Sequence, residues 1–349
     1  MIRVCFDSNS PSNLSFSVTT LRSRPAASLV ALPQTLFDLD LVRPDFLFLR
    51  VVSKSLILWD DIAPTSEWMN SQMPDVVKAY YTKFRRKAEK SSGIDGLATF
   101  AAMRMSGNKS DAGDVQMEGS DNHNSSDEGQ LEEAAMKDDL DMEVDYNSIR
   151  QAHVYITSGI CFSLGLRYAG TGNEVARAAI FKKVLELQKL RDGNDSISLA
   201  LRPDTPTVDM CLGSAAISLA MVMAGTGDLE VFRLFKTLRW KCDMDVKYGN
   251  HMAYASAIGL LFLGGGSCTL GNEPSDIAAL VVSMFPRVPI FTHDNRYHLQ
   301  ALPHLYALAV KERKVEAIDV DSNEKVLLPM KVSESYLFRV DHVDFVICI

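Results

Sequence analysis

The chain has 349 residues, 47% of them hydrophobic, and its 36 basic and 44 acidic side chains give a net charge of −8. That length and apolar share suffice for one large or two medium domains with a sizeable core, and the negative charge argues against a general nucleic-acid binder, which needs a basic surface. Six scattered cysteines (Cys5, Cys161, Cys211, Cys242, Cys268 and Cys348) form no C-x-x-C pair, and no basic-then-apolar leader opens the chain, so reduced thiols in a protein that is not secreted are expected.

In chain order, residues 1–37 form an irregular segment, rich in Ser and Asn at its start and without a clear period. Residues 38–107 form a helical start: Pro44 stands where a proline opens a helix, and Asp45–Trp59, apolar nearly all round, reads as a fully buried helix. Pro74–Lys90 is amphipathic and ends in a basic run that a solvated helix end explains. Residues 108–147 are expected to be an acidic, disordered insert, because a stretch rich in Asp and Glu without Phe, Tyr or Trp up to Asp145 cannot offset its ordering entropy. Within it Ser125, with Glu128 three residues on, fits the preference of an acidophilic kinase.

Residues 148–312 carry a repeat. Three apolar stretches rich in small residues (Ser158–Tyr168, Leu212–Met223 and Ala253–Phe262) each close at a glycine turn. The turns are Ala169-Gly170-Thr171-Gly172, Ala224-Gly225-Thr226-Gly227 and Leu263-Gly264-Gly265-Gly266. Gly170 and Gly225 are 55 residues apart and Gly225 and Gly264 are 39 apart, so the second step falls in the window of helical repeats. The first step needs an insertion of about 15 residues, placed at Arg191–Thr207 with its Gly193, Pro203 and Pro206.

Superposing Gly165, Ala220 and Gly259 aligns the three stretches. A glycine inside a helix costs roughly 1 kcal/mol against alanine, so a neighbouring helix is expected to approach closely at that column. Each unit reads as a buried helix, a turn whose glycine takes the left-handed cap conformation, and a second, amphipathic helix. Asn173–Leu190 and Asp228–Trp240 are those second helices, with Asn173 and Asp228 at the N-caps. In residues 313–349 the period changes: Val315–Val320 and Lys325–Val332 read as strands joined at Asp321–Glu324, the start of a β-containing module.

None of the constellations that carry chemistry is complete. The first two turns lack the third glycine of a dinucleotide fingerprint and follow helices, and Gly266–Gly271 has phosphate-loop spacing but continues with Asn272 and Glu273 where Lys and Ser or Thr are needed. His293, His298 and His304 are spaced by five and six residues and share no helix face. Ser267 is followed two residues on by Thr269, not by the glycine of a nucleophile elbow, and Cys268 has no recognisable partner. No catalytic residue, metal or cofactor is expected. The longest apolar run, Met210–Gly225, has 16 residues, short of the ~20 that span a bilayer, so no membrane contact is expected either.

Small-residue helices that close in Ala-Gly-Thr-Gly resemble the proteasome/cyclosome repeat family, found in two large scaffold subunits of the proteasome regulatory particle and in the largest subunit of the anaphase-promoting complex. Leu41–Arg50 with Leu56–Asp61, Gln151–Ile156, Leu219–Gly225 and Asp294–Leu302 resemble the cyclosome member specifically, and the likeness runs from about Asp38 to Asp321. The resemblance implies a mainly α fold, an α-solenoid or toroid of helical hairpins with a short β-containing C-terminal segment. It assigns a structural role to the repeat-signature glycines Gly165, Gly170, Gly172, Gly225, Gly227, Gly259, Gly264, Gly265 and Gly266. It also implies a non-catalytic scaffold in the nucleus and cytoplasm, with the cullin and RING-type subunits and the helical-repeat subunits of that ubiquitin ligase as partners. The family member is several times longer, so a piece of a longer protein is expected. The rival readings are a scaffold of the proteasome regulatory particle and an α-helical enzyme using a glycine loop.

Overall fold

The computed structural model describes residues 27–91, 146–194, 196–240, 248–289, 293, 302–313, 317–318 and 325–326. Most of the acidic insert with Ser125, the ends of the expected C-terminal strands, and most of the Asp294–Leu302 block lie outside the described residues.

The first helices are α1 (Leu36–Leu41), α2 (Pro44–Ile57), α3 (Ser66–Gln72) and α4 (Asp75–Ser91), with a 3₁₀ turn at Trp59–Asp61 between α2 and α3. Thr35 caps α1 by accepting the Asp38 amide at 3.1 Å, so the irregular segment expected through residue 37 gives way to helix two residues early. The expectation for α2 also needs correction. Leu47, Phe48, Val51, Val52 and Ser55 are buried, but Phe46 is 47% exposed, because α2 packs mainly along α5 and its apolar girdle is wider than that contact.

Helix α5 (Tyr146–Arg167) begins inside the last two residues assigned to the acidic insert. Tyr146 stacks on Phe84 of α4 at 5.1 Å, which gives the helix start a partner the acidic stretch lacks. Then follow α6 (Glu174–Asp192), α7 (Ser196–Leu201), α8 (Thr205–Val222), α9 (Leu229–Trp240) and α10 (Tyr248–Leu261). The extra residues of the first step are thus the left-handed cap at Gly193 and the short helix α7, which rests on α4.

Helices α2, α5, α8 and α10 lie side by side in that order, and α6 and α9 each lie against the inner helix that follows them, α8 and α10. The core runs along this row: α8 is buried on every side from Cys211 to Val222. By length and composition α8 could cross a membrane; here it is the central helix of the stack. Full burial of a Leu- or Phe-sized side chain contributes about 1.5–3 kcal/mol, and Phe162, Leu164, Leu212, Leu219 and Phe235 are all so buried.

After the 3₁₀ segment Leu263–Gly266 the third unit departs from the first two. No amphipathic helix follows directly; β1 (Cys268–Leu270) does, then α11 (Pro274–Met284), a 3₁₀ segment (Leu302–Ala309) and β2 (Val310–Glu312). Strands β1 and β2 pair antiparallel, with Thr269 opposite Lys311. Strands β3 (Ala317–Ile318) and β4 (Lys325–Val326) also pair antiparallel, within the two stretches read as strands from the sequence.

Candidate functional site

The glycine turns form a ladder between repeats. The Gly170 amide donates to the Met221 carbonyl at 2.8 Å and the Gly172 amide to Val222 at 2.9 Å; one repeat on, Gly225 donates to Leu260 and Gly227 to Leu261, both at 3.0 Å. The acceptors are carbonyls at the end of the next inner helix, which have no partner within their own helix. Each turn therefore closes its own helix and caps its neighbour's. Both amides can point sideways only because the backbone turns left-handed: φ is 68° and 61° at Gly170 and Gly172, and 73° and 63° at Gly225 and Gly227. The intervening threonine donates back, Thr171 to the Tyr168 carbonyl and Thr226 to Met223, each at 2.8 Å.

Strand β1 lies across these turns as a clasp. The Thr269 hydroxyl reaches the carbonyls of Gly170 at 2.9 Å and Ala224 at 3.3 Å, so one side chain ties two repeats together. Arg313 adds a second tie: its guanidinium donates to the Gly225 carbonyl and its amide to the Ser267 carbonyl. A Cβ on Gly170 or Gly225 would run into the β1 backbone at Leu270 or Cys268. The segment with phosphate-loop spacing is this clasp.

Between the inner helices the small residues act by contact. A Cβ on Gly165 would stand 2.9 Å from Cα and O of Ser218, so α5 and α8 touch there as expected. Gly159 does the same between α5 and α2, where a Cβ would be 3.1 Å from the Phe48 carbonyl, and Gly213 between α8 and α10, 3.2 Å from Ala253 Cβ. Neither lies in the aligned column, so the sequence comparison missed both. Gly259 contradicts its expectation: it is exposed, and no described atom lies within 4 Å of where its Cβ would be. Gly259→Ala should therefore stabilise the chain by about 1 kcal/mol through helix propensity, whereas Gly165→Ala should destabilise it. Urea unfolding of the two variants gives opposite shifts in midpoint if this is right.

The outer layer is joined by charge. Asn173 caps α6 through the Ala176 amide at 2.9 Å, and Asp228 accepts the amides of Glu230 and Val231 at 2.8 and 2.9 Å at the start of α9. Arg177 of α6 reaches across to Asp228 at 3.0 Å and to Glu230. Burial opposes ionisation of Asp228, but the Val231 amide and the Arg177 guanidinium outweigh it and hold its carboxyl below the ordinary value. Deeper in, Arg191 at the end of α6 pairs with Asp209 of α8 at 2.7 Å, their side chains 6% and 2% exposed.

At Gly170, Gly172, Gly225 and Gly227 the turn amides are not open to a phosphate. They are spent on helix carbonyls, and a carboxylate or amide side chain already occupies the helix N-termini that follow. Among the described residues, no group of three His, Cys, Asp or Glu side chains could hold a metal ion. His293 and His304 are described but His298 is not, and His153 is stacked flat on Tyr81 at 3.7 Å. Ser267 donates to the Gly264 carbonyl at 2.6 Å and lies 3.8 Å from the Cys268 sulfur.

Burial pushes the Cys161 thiol up to about 12 and raises that of Cys211 as well, while Cys268 is half-buried. Thiolate is the reactive form, so under native conditions a disulfide reagent should label Cys268 and leave Cys161 and Cys211 until the chain is unfolded. Peptide mapping of the labelled sites checks this; modification of Cys161 in the folded chain would contradict the packing of α5.

A family model described as the APC1 fifth domain matches residues 18–311. Among curated proteins, the chain is 37% identical over 322 residues to the anaphase-promoting complex subunit 1 of Arabidopsis thaliana, with 88% of this chain and 16% of that protein covered. It is 35% identical over 302 residues to the proteins of the same name from Mus musculus and Homo sapiens, with 86% of this chain and 13% of each of theirs covered. The chain thus spans about a sixth or less of these relatives' length. With the matched segment covering the whole row of helices and the turn ladder, the chain belongs to the APC1 fifth-domain family.

Proposed function

We propose that the chain is part of a non-catalytic scaffold subunit of the anaphase-promoting complex, a multisubunit ubiquitin ligase that marks cell-cycle regulators for destruction. The family match over residues 18–311 carries this reading. The turn ladder supports it: the glycine loops that an enzyme would use for ligands are consumed in holding repeat to repeat. Stacked helical pairs of this kind present an extended surface supported by one continuous core, as a protein that positions other subunits requires. In this reading the helices form part of an α-solenoid or toroid that links the cullin and RING-type catalytic subunits to the helical-repeat subunits, in the nucleus and cytoplasm, without a cofactor. The test is to tag the protein carrying this chain in its own cells, purify it under native conditions and identify what accompanies it. Cullin and RING-type ligase subunits are the expected result. Proteasomal ATPases in their place would overturn the assignment.

A further inference from the structure

A notch of about 160 Å³ opens between α3, α4, α5 and α6, and two lysines lie at it, Lys78 and Lys183, with Asn70 and Thr157 beside them. No acidic side chain lines it among the described residues. Lys183 pairs with Glu186 at 2.7 Å and Lys78 with Asp75 at 3.2 Å, in both cases three residues along the same helix and away from the notch lining. Such partly exposed pairs hold weakly, so each lysine is free to turn to a stronger partner.

The wall from α5 carries His153, whose Nδ1 is sealed from solvent and has no hydrogen-bond partner. Burial first, and then the nearby Lys183 charge, push the ring's pKa down to about 3, so at neutral pH the ring is uncharged and adds no charge of its own to the notch wall. The floor is apolar, with Met69 and Ile160. At roughly 30 Å³ for each water-sized group, the volume takes about five heavy atoms. That is far below the roughly 300 Å³ or more of a cofactor or nucleotide pocket and matches the side chain of one glutamate.

We propose that this notch is a docking site for a single carboxylate side chain, glutamate or aspartate, projecting from a partner polypeptide. The lysines meet the carboxylate charge, the Thr157 hydroxyl donates a hydrogen bond to it, and the methylenes lie on the apolar floor. The experiment is an NMR titration of the full chain at constant ionic strength, following the His153 ring signals, assigned by their loss in His153→Gln. The probes are capped Gly-Glu-Gly and Gly-Gln-Gly tripeptides. The glutamate peptide should give a saturable shift and the glutamine peptide none, and Lys183→Gln or Lys78→Gln should each weaken binding about fivefold with the signals of remote residues unmoved. No saturable shift, equal shifts with both peptides, or unchanged affinity in both lysine variants would overturn the proposal. A capped phosphoserine peptide that binds where the glutamate peptide does not would overturn the carboxylate assignment.

Discussion

Gly225→Val should destabilise the chain by about 3 kcal/mol or more, the sum of strain at a left-handed position and overpacking. Valine is β-branched and does not tolerate the φ of 73° found there. Its Cβ would run into the Cys268 carbonyl of β1, so the clasp would have to lift from the turn or the turn would have to unwind. Either way the Gly225 amide leaves the Leu260 carbonyl, and the seam between α8 and α10 loses its cap. The expected reading is a fall of many degrees in melting temperature. Gly172→Ala is the milder companion: the same left-handed strain, but only a Thr226 methyl carbon 3.7 Å from the new Cβ, so its cost should be near 1 kcal/mol. Equal melting temperatures for Gly225→Val and the parent would refute the capping role.

Asp209→Ala should cost about 3–5 kcal/mol, because removing one member of a buried ion pair strands the other charge away from water. Arg191 is that other charge, with its Nη1 already lacking a partner, and it lies between α6 and α8, where no water reaches it easily. The double change Arg191→Met with Asp209→Leu should recover most of the loss, since a well-packed apolar pair can match a buried ionic one. Urea unfolding of the three variants measures both effects; a double variant as unstable as Asp209→Ala would mean that the pair contributes through its charges and not through the cost of breaking it.

The turn glycines were legible because their demand is local: a left-handed φ and a close approach select glycine wherever the motif recurs, at Gly170 and Gly225 alike. The outer helices were legible from Asn173 and Asp228, whose side chains satisfy amides two or three residues away. What depends on distant partners was not legible. Strand β1 is three residues long and its partner β2 begins only at Val310, so nothing in Cys268–Leu270 announces a strand. Asp209 within an apolar helix gives no hint of Arg191 on another helix. Gly159 and Gly213 also sit at close seams yet fall outside the aligned column, since a seam forms wherever two helices cross. Gly259 shows the converse: it holds the aligned position, and nothing described lies against it. The notch at His153 draws on four helices, each contributing residue types common on any surface.

Hydrogen exchange of the four turn amides in the folded chain tests the central claim most directly. Exposed turns normally exchange by local fluctuation, far faster than core helices. If the amides of Gly170, Gly172, Gly225 and Gly227 are the bonds between repeats, they should be as protected as the middle of α5 and α8 and should exchange only when the whole array opens. Rapid exchange at these four glycines, with α5 and α8 still protected, would contradict the ladder and return the turns to the surface as free loops.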